Sequence, residues 1–428
     1  MHKKHAIIIG AGVAGLTAAC YLAKFTDIKP VVLEKEKFIG GLARTLNFDG
    51  NLLDIGSHRF FSKSEEILKL WQEILAEDFL ERRGDSKIFF RRKFFSQPLE
   101  INFLTLKNFG LGEIFSIGTS FLKAKFSQRD EKTLEDFLIN RFGEKFCEIF
   151  FRAAAMKIFG RPPEEIDASS AKNFLETPPE KFFYPKLGAG QLCEKISDAI
   201  KNFGGEVLTD AEVKSFRVVD NVVKSARVQS PAGLLTFPAD YFLSSMPLIE
   251  LAEALDDGLN FRQLQIARNL EYRDLMIVGL LVEKISCAAD TIFIQDPSVK
   301  ISRLQIFSRA ENFAWLGLEY FCSEGDNLWQ MSDDDFINFA AEELVKLGFI
   351  GAQDFRFGVR VKVPKAFPGF VESEIFSELR GALDGIKNLY SIGRGGQHRC
   401  NKIDHSMMTA LAAVCAIAGK FSKSEVWI

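Results

Sequence analysis

His5-Ala-Ile-Ile-Ile9, Gly10-Ala-Gly12-Val13-Ala14-Gly15 and Pro30-Val-Val-Leu-Glu34 follow one another in the order strand, glycine turn, helix start, strand and acid. The run before Gly10 reads as a buried strand, and the apolar residues from Val13 to about Phe25 read as a helix packed on it. That order is what gives a glycine fingerprint its meaning. Gly10 allows the tight turn, Gly12 lets the backbone approach a pyrophosphate, and Gly15 permits close helix packing. The helix N-terminus offers N–H groups and the positive end of its dipole to the phosphates. Glu34, at the end of the second strand, is placed to accept hydrogen bonds from an adenosine ribose, with Lys35 beside it. The segment predicts a dinucleotide site.

With 428 residues the chain exceeds the usual size of one core, so two interleaved domains are expected. A formal net charge of −3 gives no electrostatic footprint for nucleic acid, and no nucleic-acid partner is expected. The strand begins within a few residues of Met1, which leaves no room for a signal peptide, so a cytoplasmic location is expected. Seven cysteines lack a CxxC pair or metal-like spacing, which predicts small core residues in a reducing compartment and no metal site. Apolar runs stay below the roughly eighteen residues that span a bilayer.

The pattern assigns 1–98, 184–247 and 364–428 to a discontinuous cofactor domain, and 99–183 and 248–363 to a substrate domain. Ile67, Leu68, Leu70, Trp71, Ile74 and Leu75 have helical spacing, and helices continue through most of 99–183. Residues 213–237 alternate like an antiparallel meander, with Val213 joining the candidate cofactor contacts. The chain holds 42 phenylalanines against 6 tyrosines. The Phe- and Leu-rich block Ile101 to Phe126, with interspersed lysines, has two readings: helices packed over a substrate cavity, or an amphipathic surface for peripheral membrane contact.

Near the other end, Leu389-Tyr-Ser-Ile-Gly393 reads as a last strand of the same sheet, running into Arg394-Gly395-Gly396. Arg394 is a candidate for phosphate or ring oxygens. Asp404-His405-Ser406 precedes an apolar helix from Met407, which Asp404 or Ser406 can cap. Three of only five histidines, His58, His398 and His405, fall in or near glycine-bearing motifs, which makes His58 and His398 candidates for chemistry.

Gly40-Gly41-Leu42-Ala43-Arg44-Thr45 resembles the second glycine pair of the FAD-dependent amine oxidase and UDP-galactopyranose mutase superfamily. Gly56-Ser57-His58-Arg59-Phe60 and the run from Gly393 through Arg399 to Asp404 are similar to flavin motifs of those mutases. Over almost its whole length the chain resembles a bacterial group of mutase-like FAD-dependent oxidoreductases, through Ser57 to Lys63, Met156-Lys157-Ile-Phe-Gly160-Arg-Pro-Pro-Glu-Glu165, Tyr184 to Gln191, Asp296-Pro-Ser-Val-Lys300 and His398 to Met407. The resemblance implies an α/β fold with a Rossmann-type FAD-binding domain and an interleaved α+β substrate domain. It implies FAD as cofactor and a flavoenzyme acting on a small molecule. In the mutases, reduced flavin N5 attacks the anomeric carbon of UDP-galactose as UDP leaves; here a nucleotide- or lipid-linked sugar is the corresponding substrate. His58, Arg59 and His398 become the catalytic candidates, with Arg91, Arg92, Arg152, Arg161, Arg273 and Arg303 available for a diphosphate. By analogy a homodimer is the assembly to test.

One departure stands out. Where the mutases place two tyrosines on the diphosphate, this chain has His398 and Cys400, and a thiol is a poor substitute for a phenol. The alternative is an oxidase or dehydrogenase of an apolar substrate, resembling protoporphyrinogen oxidase or a carotenoid-type desaturase. A non-catalytic flavoprotein scaffold is the third reading.

Overall fold

In the computed structural model, which describes residues 4–99, 105, 107–170, 174–175, 179–255, 258–369 and 373–427, the chain divides into two units. Met1–Glu81, Phe183–Tyr272 and Phe367–Ile428 form the first; Arg82–Phe182 and Arg273–Ala366 form the second.

The first unit is built on the strands β1 (His5–Ile9), β2 (Lys29–Leu33), β3 (Glu206–Leu208), β4 (Glu212–Val219), β5 (Val222–Ser230), β6 (Gly233–Pro238), β7 (Tyr241–Ser244) and β8 (Leu389–Ser391). Five of them make one parallel sheet in the order β8-β7-β1-β2-β3, with Ile7 level with Val31 on one side and Phe242 on the other. Parallel strands are apolar throughout because both faces are covered. On one face, α1 (Val13–Phe25) packs against α3 (Gly190–Asn202) and α5 (Ile403–Ile417), and α2 (Glu65–Leu75) packs on α3. On the other, the meander β4-β5-β6 and the helix Leu248–Ala254 close a core that includes Phe216, Phe242, Leu251, Leu383 and Trp427. Residues 248–255 and 258–272, expected in the substrate domain, pack here because the apolar stripe Leu248, Leu251 and Ala252 joins this core.

The second unit holds a seven-stranded sheet with the strand order Phe355–Pro368, Tyr272–Val282, Ala314–Cys322, Arg303–Arg309, Thr291–Ile294, Ser86–Phe90, Lys93–Ser96. Alternation along Ser86–Phe90 sends Phe89 into one core and Ile88 and Phe90 into another. The first core lies under the helix Asp333–Leu347, whose N-terminus is capped by Ser332 accepting from the Asp335 N–H at 3.2 Å. The second is a phenylalanine cluster, with Phe146 stacked on Phe150 at 5.3 Å and Phe95 edge-on to Phe150 at 5.2 Å. Part of the Phe excess therefore has a packing role. Residues 101–104 and 106 of the Phe-rich block lie outside the described residues.

Candidate cofactor site

After β1 the chain turns at Gly10, whose φ of 95° suits glycine, and a Cβ there would stand 2.3 Å from Ser245 Oγ. A Cβ on Gly15 would stand 1.9 Å from the Gly10 carbonyl oxygen, so α1 approaches the turn as closely as backbone allows. Gly12 has an ordinary extended backbone, and a Cβ there would meet nothing nearer than 3.9 Å. It is the N-cap of α1 but provides no side-chain cap. The first-turn N–H groups, beginning with those of Val13 and Ala14, lack intrahelical acceptors and are available to an anion.

The second glycine pair lies against this turn. Gly40 N–H donates to the Ala11 carbonyl at 2.8 Å, Gly12 and Gly40 form a parallel bridge, and a Cβ on Gly41 would be 3.3 Å from Gly12 Cα. Gly41, Leu42 and Ala43 make one 3₁₀ turn, with Ala43 buried. Arg44 follows, its guanidinium 5.6 Å over the Phe38 ring and its Nε buried without a protein partner. His58 Nε2 is 2.9 Å from both the Leu42 and Ile55 carbonyls, so Nε2 carries the proton and is shared between them. The ring ties the glycine turn to the loop of Gly56, Ser57 and Arg59, which is the role this geometry gives His58.

Glu34 is buried, and its two carboxylate oxygens accept from the N–H groups of Ala11 at 2.8 Å and Glu36 at 3.0 Å. Each oxygen keeps a further lone pair for a ribose hydroxyl. The Ala211 N–H donates to the Glu34 carbonyl at 2.8 Å, and buried Val213 lies two residues farther along at the start of β4. Lys35 points elsewhere, to Glu250 at 3.8 Å.

The closing segment reaches the same place. Gly393, at φ 71°, opens the one-turn helix α4 (Gly393–Gln397), and a Cβ there would lie 2.8 Å from the Cβ of Ala14 in α1. Its N–H donates to Thr409 Oγ1 of α5 at 2.7 Å. The expected cap by Asp404 or Ser406 is corrected: α5 begins at Ile403 with Lys402 as a capless N-cap, because the helix starts earlier than the apolar run at Met407 indicates. Asp404 and Ser406 are buried in the first turn, and His405 is exposed. Arg394 donates from Nε to the Asn401 carbonyl at 2.9 Å and stacks 5.0 Å over Phe367; desolvation lowers its pKa.

His398 is buried, edge-on to Tyr272 at 4.7 Å and near Phe376 at 6.2 Å. Neither ring nitrogen makes a hydrogen bond of ordinary geometry, although the Gly369 backbone acts weakly on the ring. Burial lowers its pKa from 6.5 to about 4, so the ring is uncharged at neutral pH. Cys400 Sγ donates to the Pro368 carbonyl at 3.4 Å.

A diphosphate fits the open α1 N-terminus, a ribose fits Glu34, and the bare backbone at Gly12 allows a ligand close approach, while the missing Cβ atoms of Gly41 and Gly393 let their segments pack on α1 and its glycine turn. Sheet, fingerprint and cradle define a Rossmann-type flavoprotein. The chain belongs to the flavin-containing amine oxidoreductases, whose family model matches residues 13–373, and its cofactor is FAD. Members of this family are flavoenzymes. The chain is similar to 15-cis-phytoene desaturase of Synechococcus elongatus, 28% identical over 290 residues that cover 59% of each protein. It is also similar to coproporphyrinogen III oxidase of Bacillus subtilis, 25% identical over 162 residues and 34% of each chain. It thus spans less than two thirds of the length of these curated relatives. Among solved structures, reduced UDP-galactopyranose mutase has the same fold, with a TM-score of 0.83 at 18% identity over 99% of this chain and 97% of that one.

In the second unit most candidate arginines already have protein partners. Arg91 pairs with Glu113 at 2.7 Å, Arg92 donates to the Lys346 carbonyl, and Arg152 makes a bidentate pair with Glu164 at 2.6 and 3.1 Å. Arg303 pairs with buried Glu319, and Arg273 donates to Ser323 Oγ at 2.6 Å while packing on Gly160. Arg161 stands just beyond that glycine. Sequence reasoning missed what joins the two motifs at 156–165 and 296–300. Lys157 Nζ donates to the carbonyls of Ile294, Asp296 and Ile301 at 2.8–2.9 Å, and Glu343 accepts the Lys300 and Ile301 N–H groups from the other side. Desolvation lowers the Lys157 pKa to about 8 and raises that of Glu343.

Proposed function

We propose that the chain is a FAD-dependent dehydrogenase or oxidase that removes a hydride from an apolar small molecule, in preference to a mutase acting on a nucleotide-linked sugar. His398 carries this reading. The mutase chemistry needs the run after Gly393 to grip a diphosphate, and here that run offers an uncharged histidine packed among rings and a thiol turned to a carbonyl. Diphosphates are gripped by arginines with free forks. Arg91, Arg152 and Arg303 already pair with carboxylates. The two curated relatives are by name a desaturase and an oxidase, which supports net oxidation.

When bound, FAD supplies a two-electron acceptor for a substrate C–H bond. The chain's part is to hold it. The α1 N-terminus and Arg44 would neutralise the diphosphate and Glu34 would anchor the ribose, while His58 keeps the Gly40–Ala43 turn in place through its two carbonyl partners. Oxidation of the substrate would release one proton to solvent, and a dioxygen- or quinone-class acceptor would be needed to take the electron pair onward. The test is calorimetric titration of the reduced holoenzyme with UDP and UDP-galactose. The expected result is no saturable binding; saturable binding by both at neutral pH would return the sugar reading.

A further inference from the structure

The helix Leu111–Phe126 in the second unit is pinned on one side only. Ile117 and Ala124 are buried, and the helix packs on Leu134–Phe142 and on the Gly143 turn, where a Cβ on Gly143 would stand 2.7 Å from the Phe121 nitrogen. The opposite side carries Leu111, Phe115, Leu122 and Phe126, which are 87%, 75%, 57% and 91% exposed. Their spacing of four, seven and four places them on one stripe, with Gly118 completing the row and nothing within 4 Å of the position its Cβ would take. Single exposed apolar residues need no explanation, but a helical row of them does.

Charge indicates what covers it. Residues 91–126 hold six basic side chains, Arg91, Arg92, Lys93, Lys107, Lys123 and Lys125, against two acidic ones, a local +4 in a chain whose net charge is −3. The one acid within the helix, Glu113, is neutralised by Arg91 at 2.7 Å. Lys123 and Lys125 flank Leu122 and Phe126 and are exposed. An apolar stripe edged by lysines is the pattern of a helix lying in the plane of an anionic membrane surface, its apolar face at the acyl boundary and its ammonium groups at the headgroups.

We propose that this face docks the protein peripherally on an anionic lipid bilayer, with Leu111, Phe115, Leu122 and Phe126 entering the interface and Lys123 and Lys125 pairing with lipid headgroups. No described helix is long and apolar enough to cross a membrane, so contact from one side is the mode this face allows. The inference does not depend on which reaction the flavin site performs.

The test is co-sedimentation of the FAD-loaded protein with vesicles of phosphatidylglycerol and phosphatidylcholine in equal parts, and with pure phosphatidylcholine. Binding to the mixed vesicles is expected, falling about tenfold or more in Phe115→Ser/Leu122→Ser, where two apolar anchors are lost. Lys123→Gln and Lys125→Gln should each weaken it about fivefold, and salt should weaken it further. All variants lie on an exposed face and should retain bound FAD. A Phe115→Trp variant, read by quenching from brominated lipid, reports insertion even if the double variant is unstable. Absence of binding to mixed vesicles, equal binding by the Phe115→Ser/Leu122→Ser protein, or an unquenched tryptophan overturns the proposal. So does light scattering that shows the stripe buried between two copies of the chain, lost in the same variants without any lipid dependence.

Discussion

Gly15 shows how much of the site rests on single atoms. Its missing Cβ is what lets α1 reach the Gly10 turn, since the added carbon would fall 1.9 Å from a backbone oxygen that cannot rotate away. Gly15→Ala should cost about 1–3 kcal/mol of overpacking and reduce FAD affinity at least about tenfold, measured by titrating the apoprotein with FAD and following flavin fluorescence. His398 gives a second test. Its folded pKa of about 4 lies below the ordinary 6.5, so the unfolded chain takes up the proton first as the solution is acidified. Stability tied to the uncharged ring is complete above about pH 6.5 and is lost on the way down to about 4, an effect of about 3 kcal/mol. Glu271, the acid acting on the ring, only partly opposes this. Wild type should therefore lose about 2 kcal/mol more than His398→Leu between pH 7 and pH 4.5 in denaturant unfolding; parallel losses would remove the histidine from the explanation. At this scale the glycines were legible in the sequence, because turn geometry demands that residue type. The bonds from His58 to the Leu42 and Ile55 carbonyls were not, since no periodicity reports a side chain meeting backbone oxygens sixteen and three residues away.

Among elements, β1, α1, β2 and β8 follow the sequence expectation, and the reason is shared: continuous apolar runs bounded by glycine or an acid leave few alternatives for a strand or a helix. The hairpin of Ser86–Phe90 and Lys93–Ser96 was hidden because its turn is Arg91-Arg92, at φ 48° and 59°, where Asn-Gly is the usual signal. The link between the helix Arg152–Phe159 and the 294–301 loop was hidden for a different reason, since its partners are 137 to 144 residues apart. It is also the most testable feature of the second unit. An ammonium has three hydrogens, and Lys157 places them on three carbonyls. Lys157→Met keeps the stem and removes all three bonds, so a loss of about 2–4 kcal/mol is expected, with faster amide exchange concentrated at 295–301. Unchanged exchange there would show that Glu343 alone holds the loop.

For the whole molecule, three stretches far apart in sequence, at 10–15, 40–44 and 393–396, converge on the N-terminus of one helix, and the fold they belong to hosts both isomerases and oxidoreductases. Fold and cofactor were therefore legible from the motifs, while the reaction was not, because one fold hosts several chemistries and a single side chain such as His398 carries no periodic signal. The decisive measurement is anaerobic mixing of the FAD-loaded protein with porphyrinogen, polyene and hydrophobic amine donors while the flavin absorbance is recorded, alongside a parallel sample reduced chemically, incubated with UDP-sugars and quenched with cyanoborohydride for mass spectrometry. Bleaching of the flavin by at least one apolar donor, with no flavin–sugar adduct in the parallel sample, is the expected result. An adduct between the flavin and a sugar, with every apolar donor leaving the absorbance unchanged, would contradict it.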